Sequence, residues 1–157
     1  MNRATVDPEA RVEGLIAKLR ARGNRITPQR IAILQVLATS DRHLSAEQIY
    51  EQVRADFPTT SLSTIYKTIS LLKEMDEVLE LGFGDMGSRY EARNPEPHPH
   101  LICIRCRKII DLDASALDDL PAQVARDTGY DIVSHRLDLF GICPECQKRE
   151  QQEPNTN

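Results

Sequence analysis

The stretch Ser61-Leu62-Ser63-Thr64-Ile65-Tyr66-Lys67-Thr68-Ile69-Ser70-Leu71-Leu72-Lys73 decides the fold of the N-terminal half. Ser61 offers an N-cap hydroxyl, and Leu62, Ile65, Ile69 and Leu72 recur at helical spacing, so they face inward. Ser63, Thr64, Tyr66, Lys67 and Ser70 are left on the free face. A free face that is polar, aromatic and basic suits a helix laid in the major groove of DNA, where such side chains reach base edges and phosphates.

Upstream, three further helices are predicted. Val12, Leu15, Ile16 and Leu19 keep 3.6-residue spacing and Gly23 follows, giving a helix over 11–22. Thr27-Pro28 reads as an N-cap with proline at the first helical position, ahead of an apolar face of Ile31, Leu34 and Leu37. Ser45-Ala46-Glu47-Gln48 fits a capping box for a helix that ends near Asp56, before Pro58. Downstream, residues 78–83 and 88–92 flank Gly84-Asp85-Met86-Gly87, the signal of a hairpin. Helices followed by a hairpin predict a winged helix-turn-helix over residues 1–93.

The formal net charge of the 157-residue chain is -4. Its distribution tells more than its sum. Between Arg11 and Arg30, six cations (Arg11, Lys18, Arg20, Arg22, Arg25 and Arg30) oppose the single acid Glu13. A basic patch on an acidic protein favours nucleic acid at one face and limits indiscriminate adhesion elsewhere.

Asn94-Pro95-Glu96-Pro97 excludes helix and central strand and is read as a hinge. Beyond it, strands are predicted over 100–104, 108–112 and 130–142, with a helix over 114–127 made irregular by Pro121. The expected overall class is α+β, with a small α/β domain over 94–149 and a disordered polar tail over 150–157.

All four cysteines fall in two pairs, Cys103-Ile104-Arg105-Cys106 and Cys143-Pro144-Glu145-Cys146. Four thiolates from two C-x-x-C knuckles make a closed structural Zn²⁺ site. Redox chemistry is the rival for such pairs, and it is set aside here because neither pair is expected to precede a helix that would lower a thiol pKa. Paired thiols of this kind, Asp7 and Glu9 near the N-terminus and the lack of a long apolar run predict a cytoplasmic protein. His98 and His100 flank Pro99, so both side chains fall on one side of an extended backbone. With Glu91, Asp111 and Asp113 nearby, they form a mixed imidazole and carboxylate set suited to Fe²⁺, Mn²⁺ or Zn²⁺. A zinc hydrolase would need a separate general base, which the sequence does not offer, and a protein-binding zinc module would not need the basic helical half. The chain is therefore read as a non-enzyme.

In its motifs the chain resembles the ferric uptake regulator (Fur) family across roughly residues 10–149. The resemblance rests on Arg25-Ile26-Thr27-Pro28-Gln29-Arg30, Ser63-Thr64-Ile65-Tyr66-Lys67, Gly84-Asp85 with Ser88-Arg89-Tyr90, His98-Pro99-His100-Leu101-Ile102-Cys103 and Cys143-x-x-Cys146. It implies a homodimeric, metal-activated transcriptional repressor bound to a palindromic operator, with the second domain serving for dimerisation. It assigns regulatory Fe²⁺ or Mn²⁺ to His43, Glu91, His98, His100 and Asp111, and zinc to Cys103, Cys106, Cys143 and Cys146. It places DNA contacts at Arg25, Tyr66 and Lys67, to which the basic stretch adds Arg30 and the free helical face adds Ser63 and Thr64. Aspartate at 111 is similar to the peroxide-responsive PerR branch, in which iron-bound peroxide oxidises a ligand histidine, here His43 or His98. Glutamate at 91 is similar to the iron sensors, which leaves an iron-responsive or other divalent-metal-responsive repressor as the alternative. Asp118 and His135 match half of a further metal site, whose other positions are held here by Pro97 and Pro99. His135 is accordingly expected to be a structural hydrogen-bonding residue.

Overall fold

The computed structural model describes residues 7–82, 87–93, 95–113 and 115–152. The chain divides into two compact units between Glu96 and Pro97, three residues beyond the boundary read from the sequence.

The first unit is built on four helices, α1 (Pro8–Ala21), α2 (Pro28–Thr39), α3 (Ala46–Asp56) and α4 (Leu62–Lys73), followed by strands β1 (Leu79–Gly82) and β2 (Ser88–Glu91). Each helix begins where its sequence supplies an acceptor for orphan backbone N–H groups. The Asp7, Thr27 and Ser61 side chains cap α1, α2 and α4, and Ser45 with Gln48 closes a full capping box on α3. Because Asp7 caps and Pro8 follows, α1 starts three residues earlier than expected. In α2, Ile33 joins Leu34 and Leu37 in the core, and Ile31 is only half buried. Leu15, Leu19, Ile33, Leu34, Ile49, Ile65 and Leu72 are fully enclosed, and Tyr90 and Ala92 cover them from the strand side.

β1 and β2 pair antiparallel with Leu79 opposite Glu91 and Gly82 opposite Ser88, forming the wing. Of the expected turn, Gly84, Asp85 and Met86 lie outside the described residues, as does Asn94 of the hinge. A third short segment joins the hairpin, since Leu44 and Tyr90 exchange backbone hydrogen bonds at 3.0 and 2.7 Å.

The second unit holds a three-stranded sheet in the order β4-β3-β5, from β3 (His100–Cys103), β4 (Ile109–Asp111) and β5 (Asp138–Gly141). β3 is central, antiparallel to β4 and parallel to β5. Three expectations change here. The predicted helix over 114–127 is a 3-10 turn at Ser115–Leu117 followed by α5 (Leu120–Thr128), because Pro121 fits only the first turn of a helix; Ala114 lies outside the described residues. The predicted strand over 130–142 is real only as β5, and residues 131–137 form no strand. A helix absent from the reading, α6 (Pro144–Gln152), follows Cys143, so Glu150–Gln152 of the expected tail are helical; residues 153–157 lie outside the described residues.

One ion-pair cluster fastens the first unit. Arg11 donates to Glu77 Oε2 at 2.6 Å, to the Glu77 carbonyl at 3.0 Å and to the Ala92 carbonyl at 2.7 Å, and Lys18 also pairs with Glu77. This ties α1 to the turn after α4 and to the chain leaving β2. Partial burial raises the Glu77 carboxyl pKa, but Lys18 and Arg11 outweigh it and hold the group below the usual range. A carboxyl depressed in the fold stabilises above its unfolded pKa, and that contribution is lost as pH falls below about 4.3. Glu77→Gln should therefore cost about 2 kcal/mol at pH 7, and the difference from the parent chain should shrink toward pH 3 in urea unfolding.

Candidate metal centres and nucleic-acid face

The two knuckles converge because parallel strands deliver them side by side. β3 ends at Cys103, and the chain turns through Arg107, held at φ 62°, so that the Cys103 N–H can reach the Lys108 carbonyl at 2.9 Å. β5 ends at Gly141, Cys143 stands directly before α6, and Cys146 lies on its first turn. The four sulfurs lie within 4.8 Å of one another. Cys106 and Cys143 Sγ are 3.7 Å apart, close to the edge of about 3.8 Å in a tetrahedron with Zn–S bonds near 2.3 Å.

The electrostatics favour a cation at this point. The backbone N–H groups of Cys143 (3.3 Å) and Cys106 pull the Cys103 thiol down to about 6. The Cys146 thiol is pushed up to about 12, first by its hydrogen bond to Cys143, then by desolvation and the neighbouring sulfurs. One sulfur is thus poised as thiolate while another resists it, and a divalent ion at the centre removes the conflict. α6 overturns the expectation that neither pair precedes a helix, so that objection to redox chemistry falls. Four sulfurs in one cluster still favour metal, since a redox couple uses two. Arg105 with Glu150 (2.6 Å) and Lys108 with Glu145 (3.5 Å) fasten α6 to the first knuckle.

The other metal-ligating types are positioned by strand pairing within each unit. In the first unit, the Leu44–Tyr90 bridge puts His43 opposite Glu91, with Nε2 3.1 Å from Oε2. In the second, the β3–β4 register puts His100 opposite Asp111. Asp111 Oδ1 is 3.3 Å from His98 Nε2 and 3.9 Å from His100 Nε2, and the two rings have centroids 4.4 Å apart. Three imidazoles and two carboxylates fit a first-row divalent ion. Asp113 is exposed and outside these groups; Asp118 and His135 are exposed and join no cluster among the described residues. The expected structural role for His135 is not seen, because the segment that carries it is not a strand. Asp138, which carries no signal in the sequence, places Oδ1 3.2 Å from His100 Nδ1.

On α4, Ser63, Tyr66 and Lys67 are exposed as expected. The Tyr66 hydroxyl donates to Glu47 of α3 at 3.1 Å. Thr64 is half buried and occupied at the cap with Ser61 (3.0 Å). Arg25 is exposed, and the half-buried Arg30 donates to the Arg25 carbonyl.

With this geometry in place, comparison with known proteins is decisive. The model of the ferric uptake regulator family matches residues 21–140. The chain belongs to the ferric uptake regulator family. It is 40% identical to the peroxide-responsive repressor PerR of Staphylococcus aureus over 141 residues, 90% of this chain and 95% of that protein. Among solved structures, the Helicobacter pylori ferric uptake regulator Fur, described as having three functional metal-binding sites, superposes with a TM-score of 0.80 at 30% identity, covering 94% of this chain and 97% of that one. A zinc-bound manganese uptake regulator superposes at 0.64 with 32% identity, over 84% and 98%. As a Fur-family member the chain is a metal-dependent transcriptional repressor. Among the described residues no helix is long and apolar enough to cross a membrane.

Replacing Cys146 with serine should remove the bound zinc, near one ion per chain in the parent, and unfold the second unit while the helical unit keeps its far-UV signal. Zinc analysis with circular dichroism reads both effects.

Proposed function

We propose that this Fur-family chain is a cytoplasmic peroxide-sensing repressor and not an enzyme. The observation that carries the reading is its donor chemistry. Each unit presents a partial set, His43 with Glu91 in one and His98, His100 and Asp111 in the other, and neither part alone saturates an ion. A single Fe²⁺ or Mn²⁺ taking donors from both parts would couple the DNA-binding unit to the dimerisation unit. Ionised carboxylates and neutral imidazoles give the set a formal charge of -2, which a divalent ion neutralises. Coupling of roughly 1–3 kcal/mol is enough for a switch.

In this reading Cys103, Cys106, Cys143 and Cys146 hold the structural zinc. Arg25, Ser63, Tyr66 and Lys67 contact the palindromic operator, and Arg30 and Thr64 serve chiefly to set the local backbone. The second copy covers an apolar face of the small sheet, where Leu101 stands opposite Ile110 and Leu139 and all three are exposed. Leu120 and Val124 of α5 are also exposed apolar side chains.

Bound iron would supply electrons to hydrogen peroxide and generate the oxidant. His43 or His98 takes one oxygen from the peroxide, whose other oxygen leaves as water, and the altered ring no longer donates. The similarity to the S. aureus peroxide-responsive repressor and aspartate at 111 support this reading. Glutamate at 91, and the likeness to the H. pylori Fur structure, favour the second reading, a repressor that reports iron without peroxide chemistry.

His98→Ala should abolish metal-dependent operator binding and leave zinc content unchanged, measured by gel shift and metal analysis. Peptide mass spectrometry of the iron-loaded protein after a brief low dose of peroxide separates the two readings. One added oxygen on the His43 or His98 peptide, with parallel loss of DNA binding, is expected; unmodified histidines with binding retained would leave the iron-responsive reading.

A further inference from the structure

His100 occupies the central strand of the second unit between two aspartates. The antiparallel register places Asp111 opposite it on β4, and the parallel register places Asp138 opposite it on β5. Residues opposed across a sheet share a face, so the imidazole has one carboxylate on each side. The two carboxylates meet different nitrogens. Asp111 Oδ1 lies on the Nε2 side at 3.9 Å, together with His98 Nε2, whereas Asp138 Oδ1 is 3.2 Å from Nδ1. Asp138 is itself held, since Arg136 Nε donates to its other oxygen, Oδ2.

We infer that Asp138 is a positioning residue for the regulatory metal, fixing His100 as the tautomer that carries its proton on Nδ1 and its lone pair on Nε2. The inference rests on the regulatory-site reading above and adds a residue to it. A neutral imidazole has one N–H, and the acceptor placed at one nitrogen decides which nitrogen remains free to bind metal. Asp138 accepts from Nδ1, so the buried Nε2, on the Asp111 and His98 side, is left as the donor atom. The same hydrogen bond stops the ring from rotating and raises its basicity as a ligand. Arg136 completes the arrangement by occupying the oxygen that could otherwise turn away. The aspartates thus divide the work: Asp111 is offered to the ion and Asp138 to the ligand.

The test uses full-length, zinc-loaded protein and Mn²⁺ as probe. Mn²⁺ affinity is followed by electron paramagnetic resonance, and the His100 tautomer in the protein without Mn²⁺ by long-range ¹H–¹⁵N NMR. Asp138→Ala should weaken Mn²⁺ binding about 10–100-fold, release the proton from Nδ1 and leave zinc content unchanged. Should the alanine variant lose zinc, Asp138→Asn keeps the volume and can present an N–H to Nδ1, and it should show the same loss with the proton moved to Nε2. Parent-like affinity in the folded Asp138 variants, with His98→Ala having lost Mn²⁺, overturns the inference alone. Parent-like Mn²⁺ binding by His98→Ala overturns the regulatory-site reading and the inference with it. Unchanged Nδ1 protonation in the Asp138 variants also overturns it, since a merely structural aspartate would leave the tautomer as it is.

Discussion

Four sulfurs within 4.8 Å of one another are the constraint on which the second unit depends. Among its described residues, the buried apolar side chains are Ile102 and the thiols Cys103 and Cys146. That is far too little apolar surface to offset the entropy of ordering some fifty residues. The unit needs other sources of stability, and two suggest themselves from its chemistry: a metal at the knuckles and a second copy against the exposed apolar face. The helical unit is the opposite case. Its core is continuous from α1 to β2, and the Arg11, Lys18 and Glu77 cluster closes it at the end where the chain departs.

Each group of candidate ligands is a product of strand register. His43 faces Glu91 because Leu44 bridges Tyr90, and His100 faces both Asp111 and Asp138 because β3 lies between β4 and β5. Backbone pairing fixes side-chain opposition without any demand on the side chains themselves. Donors far apart in sequence are therefore brought together by hydrogen bonds made elsewhere. In the first unit this register is supported by a buried tyrosine, in the second by the cysteine cluster immediately beyond the strands.

The sequence was most informative where one residue type has one physical use. Thr27, Ser45 and Ser61 announce their helices, since each offers an oxygen to orphan N–H groups ahead of an apolar repeat. The two C-x-x-C pairs and the His98 and His100 doublet were legible for the same reason. α6 was not, because its residues are almost all polar and only Cys146 is buried, so no apolar stripe marks it. Residues 130–137 mislead in the other direction: Ile132, Leu137 and, just beyond, Leu139 are apolar markers without perfect alternation, yet Val133 is almost wholly exposed and no strand forms before Asp138. His43 entered through family resemblance alone, and Asp138 carries no local signal, since its role arises only from pairing between distant strands.

β3 is four residues long, yet it gives a histidine to one face, Leu101 to the other and a thiol at its end. Side chains alternate with a period of two, so gaining or losing one residue between Pro99 and Cys103 would turn histidine toward the apolar side and leucine toward the aspartates. Length variation among descendants of this chain should therefore accumulate in the irregular stretch before Asp138, where no ladder counts residues, and be purged from β3. The strand acts as a reading frame for the domain: its letters can drift, but its spacing cannot.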